Sequence, residues 1–191
     1  MHKDRYTNYA ELARHQRNGV DYRITVNRRP STIAVIAPHA GRIERTGAIA
    51  RTIAGNDFNL YLFEGTRRSG SYTVLHLTSH RFDEPSCVSL IRGCSTVLTI
   101  HGYEGQDECV LVGGLDLELK RRLAEALRHN GIRADTDGHR FQGSDRQNIC
   151  NRGQSGRGVQ LEISSALRGA ARESRLVSAT RTVLLSIQRT A

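Results

Sequence analysis

The run Thr32-Ile33-Ala34-Val35-Ile36-Ala37 carries no polar alternation and passes directly into Pro38-His39-Ala40-Gly41-Arg42-Ile43-Glu44. A short continuous apolar run of this kind is the pattern of a strand buried on both faces of a parallel sheet. Such sheets place ligands and catalysis just beyond the carboxyl ends of their strands, where His39 and Glu44 stand. Imidazole nitrogen and carboxylate oxygen are the usual ligands of a catalytic zinc ion, which takes three protein ligands and keeps a fourth position for water. A third ligand must then come from elsewhere in the chain.

A second apolar, β-branched run, Ser95 to Ile100, also ends on a histidine followed by glycine, His101-Gly102. Two strands that each deliver a histidine at the carboxyl end unite them only if the strands are close neighbours, and that adjacency is the structural expectation. Gly158 to Ser164 alternates as a strand carrying Glu162. An inward carboxylate needs a partner, which a metal, a catalytic role or an arginine supplies. Among the other elements, Asn8 and Glu11 form a capping box for a first helix, and Tyr22 to Asn27 reads as an edge or half-exposed strand. Thr46 to Ala54 reads as a helix stopped by Gly55, Phe58 to Phe63 as a strand, and Tyr72 to Leu77 as a strand containing His76. Pro85 opens a helix, Leu115 to His129 is strongly amphipathic, and Asp135 to Arg157 is long and polar enough to be an active-site loop. Two C-terminal helices, Ser164 to Glu173 and Ser178 to Arg189, are expected to cover a sheet face. The fold class is therefore α/β: a single domain over residues 1–191 with a mixed, mostly parallel sheet flanked by helices.

With 191 residues the chain can bury one sizeable core, and its four cysteines show no CxxC pair, so they read as reduced, mostly buried thiols. No apolar stretch has spanning length and the N-terminus lacks the apolar core of a secretion signal, which argues against a membrane segment; no membrane partner and a cytoplasmic location are expected. The formal charge of +9 favours an acidic substrate or partner without saying which. Nucleic acid is the less favoured of these, because the arginines are scattered and few rings are available for base stacking.

Taken together, Tyr9-Ala10-Glu11-Leu12, Ile36-Ala37-Pro38-His39-Ala40-Gly41-Arg42-Ile43-Glu44, Leu60-Tyr61-Leu62-Phe63-Glu64-Gly65, Leu75-His76-Leu77-Thr78-Ser79, Arg81-Phe82-Asp83-Glu84-Pro85, Ile100-His101-Gly102, Asn148-Ile149-Cys150-Asn151-Arg152-Gly153 and Val159-Gln160-Leu161-Glu162-Ile163-Ser164 resemble the poly-γ-glutamate hydrolase family of bacteriophages and prophages. The resemblance implies a zinc carboxypeptidase-like fold, one Zn²⁺ held by His39, Glu44 and His101, and Glu162 as the general base that activates the zinc-bound water. It further implies cleavage of γ-glutamyl linkages in poly-γ-glutamate or a related acidic peptide, and release on host lysis if the protein is phage-encoded. Arg81 is expected to stabilise the oxyanion, while Arg152, Asn151, His80 and Arg42 are expected to bind substrate. His76 is expected to hydrogen-bond behind the ligands. Ala40 and Arg42 depart from the family's glycine-rich run, and Arg45-Thr46 replaces a following Pro-Gly. The rival readings are a basic phage-associated replication or nucleic-acid-binding protein, and a non-catalytic relative that binds polyanions.

Overall fold

A computed structural model describes residues 4–41, 45–66, 70–169 and 171–189. Helix α1 (Tyr9–His15) starts where Asn8 accepts a hydrogen bond from the Glu11 amide. The Glu11 carboxylate accepts from the amide and hydroxyl of Thr7 rather than from the Asn8 amide, so the Asn8 half of the expected capping box is made and its return bond falls one residue earlier. Strands β1 (Tyr22–Asn27), β2 (Ile33–Gly41), β3 (Asn59–Gly65), β4 (Thr96–Tyr103), β5 (Cys109–Gly114), β6 (Arg133–Asp135) and β7 (Val159–Ser164) join in one sheet of order β1-β3-β2-β4-β7-β5-β6. The central pairs β3–β2, β2–β4 and β4–β7 are parallel, β5–β6 is also parallel, and β1–β3 and β5–β7 are antiparallel. Neighbouring β2 and β4 fulfil the adjacency that the two histidines require.

Alternation along the strands sorts the side chains onto two faces. Ile33, Val35, Ala37, Leu98, Ile100, Leu161 and Ile163 pack against helices α2 (Thr46–Ala54), α5 (Leu117–His129) and α6 (Glu173–Gln188) in the larger core. Ala34, Ile36, Tyr61, Phe63 and Val97 face the other way, under Leu12 of α1, Leu75 of α3 (Ser71–Leu75), and Cys87, Leu90 and Ile91 of α4 (Pro85–Ile91). This second face changes character toward β7, where the inward positions are Thr99, His101, Gln160 and Glu162, all buried. The apolar layer ends there, and the polar segment between β6 and β7 takes its place. All four cysteines are free and buried.

Two expected elements differ. Tyr72 to Leu77 is a short helix followed by extended chain, because both edges of β3 are already taken by β1 and β2 and no place remains for a strand. Leu75 and Leu77 are both buried, which produces the apparent alternation. His76 therefore leaves a helix end and lies outside the sheet. The two C-terminal helices are one: Ser165 to Gly169 forms turns, and Gly169 adopts a left-handed φ of 88° that a continuing helix cannot use.

Candidate active site

Strict alternation along β2 would put His39 on the same face as Val35 and Ala37, away from His101. A β-bulge prevents it. Ala37 pairs with Leu62 and Ala40 with Glu64, so Pro38 and His39 together oppose the single residue Phe63. The extra residue turns His39 onto the opposite face, where its ring lies 4.4 Å from His76, 5.2 Å from His101 and edge-on to Phe82 at 6.3 Å. Thr46 at the start of α2 donates to the His39 carbonyl and ties the strand end to the helix.

The two histidines meet through Nδ1, 3.2 Å apart. His39 Nε2 lies 2.7 Å from the Leu77 carbonyl, which can only accept, so the ring proton sits on Nε2 and Nδ1 presents a bare lone pair. His101 Nε2 lies 3.3 Å from the Ser79 hydroxyl, which accepts or donates as required. When that hydroxyl accepts, both Nδ1 lone pairs converge on one point. Two imidazole nitrogens bound to one tetrahedral zinc at about 2.0–2.1 Å stand about 3.3 Å apart, and each ligand ring normally donates its other nitrogen to a carbonyl or similar acceptor. The pair fits that geometry on both counts.

Burial holds the His39 and His101 pKa values down, the latter to about 3, with His76 adding to the effect. Both rings are neutral at physiological pH, the form a metal ligand must take. The third expected ligand, Glu44, and the expected substrate residue Arg42 lie outside the described residues. Among the described residues no group of three His, Cys, Asp or Glu side chains is assembled for a metal.

Glu162 is the register partner of His101 across the parallel β4–β7 pair, so its carboxyl rises beside His101 from the neighbouring strand. It is 7% exposed, and burial pushes its pKa up to about 8 while Arg140 and Arg168 pull it down. Arg168 donates to the Tyr103 and Ile163 carbonyls, behind the sheet edge.

The other expected residues are spread more widely. Arg81 is exposed and pairs with Asp4 at 3.8 Å, and His80 is exposed beside it. Arg152 donates to the Phe82 carbonyl. Asn151 is buried with its carboxamide committed to backbone: it accepts from the Leu115 and Gly158 amides and donates to the Gly143 and Asp145 carbonyls. It staples the loop that walls the site. His76 stacks on His39 and pairs through Nδ1 with Asp4 at 2.8 Å.

Asp4 was not among the expected residues. Its buried carboxylate holds His76 and accepts from the amide and hydroxyl of Thr78, so a residue near the N-terminus fixes the floor of the site. No motif surrounds it in the sequence, and only the folded structure reveals it. Arg140 is the second such residue.

A small cavity of ≈ 40 Å³ opens beside His39 and His76, lined also by Pro38, Gly41, Phe63 and Ser71. Among the described residues no helix is long and apolar enough to cross a membrane.

Comparison with known proteins bears on the family and the fold. A family model described as Poly-gamma-glutamate hydrolase matches residues 6–182. Protein YmaC of Bacillus subtilis (strain 168) is 35% identical over 172 residues, 87% of this chain and 72% of YmaC. The SPbeta prophage-derived protein YoqZ of the same strain is 34% identical over 168 residues, and the match spans 86% of this chain but 60% of that protein. Among solved structures, a bacteriophage poly-gamma-glutamate hydrolase superposes with a TM-score of 0.92 at 32% identity, covering 99% of this chain and 100% of the other. YNDL, in a form described as apo and zinc-free, gives a TM-score of 0.86 at 29% identity, covering 97% and 99%.

Proposed function

We propose, from the premise that this chain belongs to the poly-γ-glutamate hydrolase family, that it is a zinc-dependent amide hydrolase acting on γ-glutamyl linkages of an acidic polymer or peptide. The observation that carries the metal dependence is the convergence of the His39 and His101 Nδ1 atoms at 3.2 Å, with Glu162 rising from the adjacent strand. His39 and His101 would hold the ion, with Glu44 as the third protein ligand. A bound zinc supplies Lewis-acid polarisation of an amide carbonyl and makes a water nucleophilic near neutral pH.

Every other step falls to the chain's own groups. Leu77 and Ser79 fix the ring orientations, so the two lone pairs need no rearrangement beyond the turn of one hydroxyl. Glu162 takes the proton of the attacking water and returns it to the departing amide nitrogen. Burial pushes its pKa up to about 8 in the metal-free protein, and a group that gains and loses a proton in one cycle works best with a pKa close to the ambient pH. A neighbouring cation would lower that pKa and favour the carboxylate, so the group would stand deprotonated and ready to act as the base near neutral pH. The positive charge of +9 draws the acidic substrate toward the protein.

Metal content and turnover together test the proposal. Protein purified without added zinc is expected to carry about one zinc per chain, lost in a His39→Ala, His101→Ala variant. Glu162→Gln is expected to keep the metal and lose release of γ-linked glutamate. No metal in either protein, together with DNA binding that weakens steeply with salt, would overturn the hydrolase reading in favour of polyanion binding.

A further inference from the structure

Arg140 sits on the loop between β6 and β7 with its guanidinium 4.7 Å above the Phe141 ring. Two contacts fix where that ring lies. The Phe141 carbonyl accepts from the Gln160 side chain, and the ring packs 5.9 Å from Tyr103. Gln160 is two residues before Glu162 on β7, and Tyr103 is two residues after His101 on β4. The pair therefore brackets Glu162 on the site face, and Arg140, over the Phe141 ring, is near enough for its charge to act on the Glu162 carboxyl.

The loop is built to hold this position. The Gly114 amide donates to the Gln142 carbonyl, Gln142 donates to the His139 carbonyl, and Asn151 and Asn148 bind the Gly143 carbonyl and the Gln160 side chain. A Cβ at Gly113 would meet the Phe141 carbonyl at 2.5 Å, so the loop lies against bare backbone. Unlike Arg168, which is spent on carbonyls, Arg140 is exposed and pairs with no carboxylate among the described residues.

We propose that Arg140 is a specificity-determining residue that binds the substrate carboxylate on the carbon bearing the departing nitrogen. The inference rests on the hydrolase reading above and goes beyond it by naming the group read and the residue that reads it. Glu162 protonates that nitrogen, and the carboxylate is attached one carbon further on, so a cation placed over Glu162 meets it. In a γ-linked glutamyl chain every linkage carries such a carboxylate. In an α-linked chain the corresponding carbon carries the next amide, and only the last bond offers a carboxylate there. A guanidinium at this position thus selects γ linkages along the whole chain, through a bidentate pair that an amide cannot form.

Binding and turnover on matched substrates test this. The probes are a γ-linked glutamyl oligomer and its α-carboxamide form, measured with zinc-loaded wild type, Arg140→Gln and Arg140→Lys, with calorimetric binding to Glu162→Gln and to the Glu162→Gln, Arg140→Gln double variant as the readout that needs no turnover. Wild type is expected to prefer the free carboxylate by at least tenfold in kcat/KM. Arg140→Gln is expected to abolish that preference at unchanged metal content, with partial recovery in Arg140→Lys. The binding affinities are expected to show the same split. An Arg140→Gln variant that retains the preference, or that slows both substrates equally, overturns the assignment while leaving the hydrolase intact. A wild type that neither cleaves nor binds either oligomer overturns both readings.

Discussion

Replacing Glu162 by glutamine should stabilise the metal-free protein while abolishing its chemistry. In the fold this carboxyl titrates at about 8, against 4.5 for an exposed glutamate, because burial disfavours the charge. Between those values the unfolded chain has released the proton and the native protein keeps it, so the native state binds more protons and stability falls as pH rises. The contribution is intact below 4.5 and has been lost by the time the pH passes about 8. At pH 7 the cost is 2.5 pH units beyond the unfolded value, or about 3 kcal/mol at roughly 1.4 kcal/mol per unit. Glutamine has nearly the same shape and no charge to suppress. His39 and His101, whose native pKa values lie below the usual 6.5, contribute stability that is present above 6.5 and fades as pH falls, but both proteins share this term and it cancels.

Urea denaturation in chelator should therefore give equal stabilities at pH 4.5 and a gap of about 3 kcal/mol in favour of Glu162→Gln at pH 7. Saturating zinc should narrow that gap, since a cation beside the carboxyl favours its charged form in the wild type alone. A gap that is independent of pH, or a wild type more stable at pH 7 in chelator, would refute the reasoning.

Asp4→Asn removes the charge that holds His76 and weakens the Thr78 contacts, and a loss of about 1–3 kcal/mol is expected by urea denaturation, with His39 less firmly placed and zinc affinity reduced. Asn151→Ala leaves two backbone amides and two carbonyls of the loop without their partner, so a loss of about 3 kcal/mol or more should appear as a lower Tm. Gly113→Ala forces the loop off the sheet and should lower kcat/KM for the γ-linked substrate while zinc stoichiometry stays unchanged, read by metal analysis alongside the assay.

The fold was largely legible because its central strands state their burial directly. The apolar runs before His39 and His101 became β2 and β4, adjacent and parallel, and the amphipathic stretch of α5 packs as its stripe requires. The failures lie where pattern is too short to carry a period. Ser71 to Leu77 offers two buried leucines at alternate positions, a signal that a helix end followed by extended chain also produces. At the C-terminus, a glycine in a left-handed conformation and an Arg45–Glu173 ion pair across the fold set the start of α6, and neither is a local property of the segment.

The site was half legible for a related reason. Residue type marked His39, His101 and Glu162, since a histidine at the end of an apolar strand and a carboxylate inside one are both costly without a partner. Strict alternation, however, would put His39 on the opposite face, and only the bulge at Pro38-His39 turns it toward His101. A bulge has no sequence signature here beyond the proline itself, because the strand on either side keeps its apolar character. Asp4 and Arg140 escaped for the opposite reason: each sits in an unpatterned polar stretch and gains its role from the folded surroundings, Asp4 by holding His76 and Thr78, and Arg140 by lying over a ring that packs on Tyr103. His101 and Glu162 reach the site from a regular register, whereas His39 does so only because the ladder breaks beside it, and a feature that interrupts periodicity is the one that periodicity cannot foretell.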